Sequence, residues 1–153
     1  MDTLELTIFP INDPPTLILP LVDIYIAEDE SPALIIPRLE SHFGNADFRE
    51  RLHFSALALD SGIDSLATQN WNGGDTTGLL AYPSPEFSGS VRILVEALDD
   101  SLSTISDTLD LTILPVNDAP ILATLPDTSF SEDSILVIPT SELFEYVSDA
   151  EDA

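Results

Sequence analysis

Oxygen is nearly the only ligand chemistry this chain offers. Its 153 residues hold 28 Asp and Glu, two His and no Cys, which excludes thiolate metal sites, cysteine nucleophiles and disulfides. Acids and amides fall side by side at Asn12-Asp13, Asp99-Asp100 and Asn117-Asp118. Pairs of this kind suit a hard cation, which takes about six to eight oxygens at roughly 2.3–2.6 Å from carboxylates, amide or backbone carbonyls and water. They suit a plain turn equally well, because Asn and Asp hydrogen-bond their own backbone and a following Pro sets the exit direction. Adjacent acids such as Asp99-Asp100 also raise glycoside hydrolysis, but neighbours on one loop are more often a solvated turn or a metal site.

Catalysis has little else to work with. His42 and His53 are the two histidines, and a nucleophilic triad would need one of them beside an activated Ser in a pocket. The sequence contains no nucleophile elbow, no HExxH and no phosphate-cradling Gly loop, so it reads as non-catalytic. A carbohydrate-binding reading rests on Trp71, Tyr82 and Phe87 together with Asn70, Asn72 and Asp75, since aromatic faces stack on sugar rings and amides grip their hydroxyls. The competing reading has the same aromatics packing against the core.

Charge removes whole classes of partner. With four Arg, no Lys and a formal net charge of -24, the chain repels nucleic acid and anionic lipid head groups. Membrane insertion is not expected either, as no apolar run reaches the ~18 residues needed to span a bilayer. A hydrophobic content of 44%, patterned in short runs, supplies the core that disordered chains of high charge lack. Met1-Asp2-Thr3-Leu4 does not begin a secretory signal.

The chain repeats itself. Residues 2–15 (DTLELTIFPINDPP) and 107–120 (DTLDLTILPVNDAP) agree at ten of fourteen positions, 105 residues apart. The match continues with Ala27-Glu28-Asp29-Glu30-Ser31 against Ser131-Glu132-Asp133-Ser134, and with Leu34-Ile35-Ile36-Pro37 against Leu136-Val137-Ile138-Pro139. A period of this length is a whole domain, so the organisation is beads on a string. Residues 11–118 are expected to form one complete repeat, 1–10 the last strand of the repeat before it, and 119–153 the opening half of the next, with strands over 121–138.

Alternation with period two dominates inside the repeat and predicts strands. Val91, Ile93, Val95 and Ala97 alternate with polar or outward residues, as do Leu109, Leu111 and Ile113, and Leu52–Leu59 puts Phe54, Ala56 and Ala58 on one face. Shorter strands are expected at 24–26, 34–36, 66–68 and 78–81, separated by turn residues at Ser61-Gly62, Asn72–Asp75, Pro83–Pro85 and Asp99–Ser101. One stretch, Arg38–Glu50, has room for a helical turn or two around Leu39 and Phe43. About seven strands, each with one apolar face, predict an all-β, Ig-like antiparallel sandwich.

Asn117-Asp118-Ala119-Pro120 after a Thr- and Ile-rich strand, Glu132-Asp133 on the opening strand beyond it, and the acidic turn Asp149–Asp152 resemble the VNDAP-linked, cadherin-like repeats of large bacterial surface and secreted adhesins. The resemblance covers nearly the whole chain. It implies a cadherin-like sandwich, an extracellular or cell-surface location with the export signal outside this segment, and calcium held where successive repeats meet. Carried over position by position, the acids of true cadherins match Glu28, Asp47, Asp99 within Ala97-Leu98-Asp99, and Asn117-Asp118. The pattern departs where the linker reads Asn-Asp-Ala, and where Arg49 and Arg51 accompany the turn of Asp47.

The calcium set the resemblance implies for the second junction is Glu28, Asp99, Asp100, Asn117, Asp118, Asp149 and Asp152; for the first junction it is Asn12, Asp13, Asp47 and Asp99. Adjacent repeats of the same chain are the expected partners, with a homophilic contact or a glycan or protein surface as ligand. Residues 1–10 and 121–138 also present unpaired edges, which are expected to pair between molecules or within one, giving strand addition or a strand-swapped dimer.

Overall fold

The two strands with the clearest alternation form the centre of the protein. In the computed structural model, which describes residues 3–7, 9, 11–47, 50–71, 73 and 76–149, β8 (Gly89–Leu98) and β9 (Thr104–Leu114) pair antiparallel along their whole length, Val91 opposite Leu111 and Ile93 opposite Leu109. Val91, Ile93, Val95, Ala97 and Leu111 have no exposed surface. Strand side chains alternate between faces, so one face of this ribbon is apolar except for Asp107, whose Oδ2 accepts the N–H of Leu21 at 2.8 Å, and it has to be covered.

Two sheets result. β2 (Ile24–Ala27) and β5 (His53–Ala58) flank the ribbon in the order β2-β9-β8-β5, while β3 (Ala33–Ile36), β7 (Thr76–Pro83) and β6 (Ile63–Trp71) make the facing sheet in the order β3-β7-β6. Every pair is antiparallel except β2 with β9, which run parallel with Ile24 opposite Leu111 and Ala27 opposite Leu114. Leu79 and Ala81 of β7 and Ala33 and Ile35 of β3 bring the second apolar face to the core. These seven strands are the expected sandwich.

A smaller pair, β1 (Thr16–Leu17) with β4 (Phe43–Gly44), joins the entering chain to the segment after β3. Between β3 and β4, the stretch 38–50 forms only a 3-10 turn at Leu39–Ser41. Leu39 and Phe43 have helical spacing because a tight turn followed by extended chain drives both inward, where they are 0% and 1% exposed. Phe43 lies 5.9 Å from Phe54 of β5 in a tilted ring pair. β6 and β7 run longer than the alternation indicated: β6 is a sheet edge with a register shift between Ile63 and Ser65, so its apolar residues do not fall on every second position.

The chain divides into two units, 1–115 and 116–153. The second repeats the opening of the first at the level of hydrogen bonds. Its β10 (Ile121–Leu122) pairs with β11 (Val147–Ser148), Ile121 opposite Ser148 and Leu122 opposite Val147, just as Thr16 faces Gly44 and Leu17 faces Phe43 in the first unit. The bond from Ala123 N–H to Tyr146 O reproduces the one from Ile18 N–H to His42 O. In place of the 3-10 turn stands a short helix, α1 (Thr140–Phe144), where two additional residues separate Pro139 from Leu143 compared with Pro37 from Leu39. Beyond 121–122, the stretch 121–138 forms no strand, and no described residue of this unit is buried. The counterparts of β2 and β3 there have no β9 or β7 among the described residues of the unit to pair with. No helix among the described residues is long and apolar enough to cross a membrane.

Candidate functional site

Where β8 gives way to β9, the chain turns through residues 99–103. Asp99 organises the turn. Its Oδ1 accepts the N–H of Ser101 at 2.9 Å and of Ser103 at 2.8 Å, while its own backbone exchanges bonds with Ser103 and Leu102. Leu102 takes φ 68°, a left-handed conformation uncommon for a side chain of this size, which marks how tightly the turn is held.

The amino-terminal linker reaches the same turn. Asn12 Nδ2 donates to Asp99 Oδ2 at 3.1 Å and to Ser103 Oγ at 3.3 Å. The next residue, Asp13, donates its N–H to Asp47 Oδ2 at 2.7 Å, and Asp47 in turn donates its N–H to Asn45 Oδ1 at 3.0 Å. Two consecutive linker residues thus clasp two different turns of the sandwich, and Asn12, Asp13, Asp47 and Asp99 come together as one network at one end.

Asp99 is enclosed, with 0% exposure. Enclosure by itself would raise its carboxyl, yet the N–H groups of Ser103 and Ser101, the Asn12 amide and the Ser103 hydroxyl outweigh that and hold it below its ordinary value. The group is a carboxylate bound by fixed donors.

The other sequence candidates separate. Glu28 follows β2 and donates its N–H to Leu114 O, so it sits at the end of the sandwich where β9 finishes. Asp99 precedes the start of β9 at Thr104, and about ten residues of strand, roughly 33 Å, lie between those ends. Glu28 and Asp99 therefore do not share a site, and the set expected for the second junction splits in two. The connection between β7 and β8 carries Glu86, which no motif in the sequence marks, and opens at the Glu28 end, since Gly89 faces Ile113. Asp100 lies beside His53, with Oδ1 and Nε2 3.2 Å apart and both side chains largely exposed. In the second unit Asn117 donates to Asp118 O at 2.7 Å, and Asp149 directly follows β11, at the place Asn45 holds after β4. Asp152 lies outside the described residues.

Asn12 Oδ1 is buried without a hydrogen-bond donor, an acceptor that a cation would satisfy. Against that, the Asp99 oxygens already hold three N–H donors, and no group of three or more His, Asp or Glu among the described residues is placed to bind a metal. The described residues of unit 1 thus offer separate oxygens and no closed shell.

His42 Nδ1 lies 3.0 Å from Leu19 O, and His53 faces Asp100; neither contact is with a serine. The aromatic candidates also diverge. Trp71 faces Thr76 at one end of the β6–β7 ladder and lies against Gly78, while Tyr82 faces Ser65 six residues along, about 20 Å away. The Phe87 ring rests against Gly62 and Gly89. Asn70 accepts from Thr77 Oγ1 at 2.9 Å, and Asn72 and Asp75 lie outside the described residues. An open cleft of about 530 Å³ does occur beside β5, lined by Glu40, Phe43, Glu50, His53, Asn70 and Thr77, which no sequence motif marks.

No family model matches the chain, and no curated protein matches it. Among solved structures it is similar to the crystal structure of protocadherin gamma C5 EC1-3, with a TM-score of 0.51 and 16% identity over 84% of this chain and 45% of that one. It is also similar to the structure of mouse clustered PcdhgC3 EC1-3, with a TM-score of 0.44 and 18% identity over 74% of this chain and 38% of that one. The chain thus spans less than half the length of either. At that identity the likeness concerns fold alone, and the fold it shows is an Ig-like, cadherin-like β-sandwich.

Proposed function

We propose that the chain is a non-catalytic extracellular repeat module of a bacterial surface or secreted protein, acting as a spacer or adhesion domain. In this reading residues 11–118 are one repeat, 1–10 close the repeat before it and 119–153 open the next. The observation that carries it is the double clasp of the linker: Asn12 on Asp99 and Asp13 on Asp47. A linker held at two consecutive residues fixes the angle at which the chain enters the sandwich, which is what a stalk requires and a flexible tether does not.

Calcium belongs to this proposal as an addition at an intact junction. There a neighbouring repeat would bring further carboxylates to Asn12, Asp13, Asp47 and Asp99, and the cation would neutralise them. Thermal melts of a chain carrying two successive whole repeats, with calcium and with chelator, test it. At 100-fold excess over the dissociation constant, calcium is expected to add about 2.7 kcal/mol. An unchanged midpoint removes calcium from the reading and leaves the hydrogen-bonded clasp as the joint.

A further inference from the structure

The inner layer of the sandwich turns from apolar to polar along β6 and β7. Leu66 faces Ala81 and Thr68 faces Leu79 across the ladder, and two residues further on Asn70 faces Thr77. Leu79 and Ala81 have no exposed surface. Strand side chains alternate with period two, so Thr68, Asn70 and Thr77 stand on the same inward face. Thr77 is 7% exposed and donates its hydroxyl to Asn70 Oδ1 at 2.9 Å. That bond commits the Asn70 oxygen, so the amide is left to offer N–H. The open cleft of about 530 Å³ lies at this polar end, with Phe54, opposite Ala97 on the inner face of β5, as its apolar wall.

Glu40 closes the cleft from the other side. Leu39, 0% exposed, anchors the 3-10 turn in the core, and Glu40 beside it lines the cleft. Its Oε2 is buried, and no donor among the described residues reaches it. Glu50 and Arg51 line the cleft with opposite charges, so the charge of Glu40 is the one left over. A buried carboxylate oxygen without a donor opposes folding, and such a group calls for a partner that the chain itself does not provide.

We propose that this cleft binds a small hydroxylated primary amine of the size and chemistry of an amino sugar. The ammonium group supplies the donor that Glu40 Oε2 lacks, the Asn70 amide and the Thr68 hydroxyl meet ring hydroxyls, and Phe54 backs the apolar face of the ring. The volume lies within the roughly 300–1,000 Å³ of small-molecule sites. A net charge of -24 draws a cation in and repels an acidic sugar. The site uses none of Trp71, Tyr82 and Phe87. Its residues belong to one sandwich, so its failure would leave the repeat reading untouched.

Calorimetric titration of the full 153-residue chain in chelator, with glucosamine as the probe, tests the proposal. One saturable site is expected, with glucose and ethylamine, each carrying half of the chemistry, at least about tenfold weaker. Glu40→Gln keeps the shape and removes the charge, and should weaken glucosamine by about tenfold or more. Glu96→Gln removes the same charge from the outer face of β8 and should leave binding within about twofold, because exposed charges at a distance are screened. Since Glu40 Oε2 has no donor to lose, Glu40→Gln should melt no lower than the parent chain. Absence of saturable glucosamine binding overturns the proposal, as does an equal loss in Glu96→Gln, which would mark attraction to an acidic surface. Ethylamine binding as tightly as glucosamine, or a Glu40→Gln chain that melts clearly lower, would overturn it too, the first by removing the role of the hydroxyls and the second by making Glu40 a structural residue.

Discussion

An enclosed carboxylate held by three N–H donors makes Asp99 sensitive to acid in a definite direction. Its folded carboxyl lies below the unfolded value of about 3.9, so its contribution is complete above that pH and is lost as pH falls through the lowered value. Asp99→Asn keeps the shape but leaves one carbonyl oxygen where two oxygens accepted, and sets its NH2 against a donor. The variant is expected to melt at a lower temperature at pH 7, with the gap to the parent chain closing below about pH 3.9. Melts across the acid range check this, and a gap independent of pH would assign the loss to packing. Asn12, Asp47 and Asp99 were legible as residue types in a pattern. That Ser101 and Ser103 would saturate Asp99 was not, because backbone donors carry no letter in a sequence.

Between elements, legibility followed burial. β8 and β9 could be read directly, since a strand in mid-sheet with one face on the core shows every second residue apolar. The edge strand β6 could not, because its register shift breaks the alternation. The separation of Glu28 from Asp99 was hidden for a related reason: it depends on β2 lying parallel to β9, and no local pattern records which way a distant partner runs. The same difference in burial predicts a contrast in stability. Ile93→Ala, in the centre of β8 with no exposed surface, is expected to cost about 2–5 kcal/mol. Leu57→Ala, on the outer face of β5 and 60% exposed, should stay within about 0.5 kcal/mol. Denaturant unfolding of both reads the sandwich independently of anything that binds it.

For the molecule as a whole, a net charge of -24 on 153 residues is a standing repulsion that folding concentrates. Raising NaCl from near zero to about 0.15 M, where screening acts beyond roughly 8 Å, should raise the melting temperature in the presence of chelator. Any rise specific to calcium is then measured above that baseline. The repeat could be read from two fourteen-residue stretches, but its consequence, a second unit with the same opening pair and no buried residue among those described, required the hydrogen bonds themselves. The parallel pairing of β2 with β9 bears on how the sandwich responds to tension. Chain enters β2 at Ile24 and leaves β9 at Leu114, at opposite ends of their four-pair ladder. A pull on the two ends therefore slides the strands lengthwise, loading all the ladder bonds at once, where a hairpin peeled from its open end would yield them one by one.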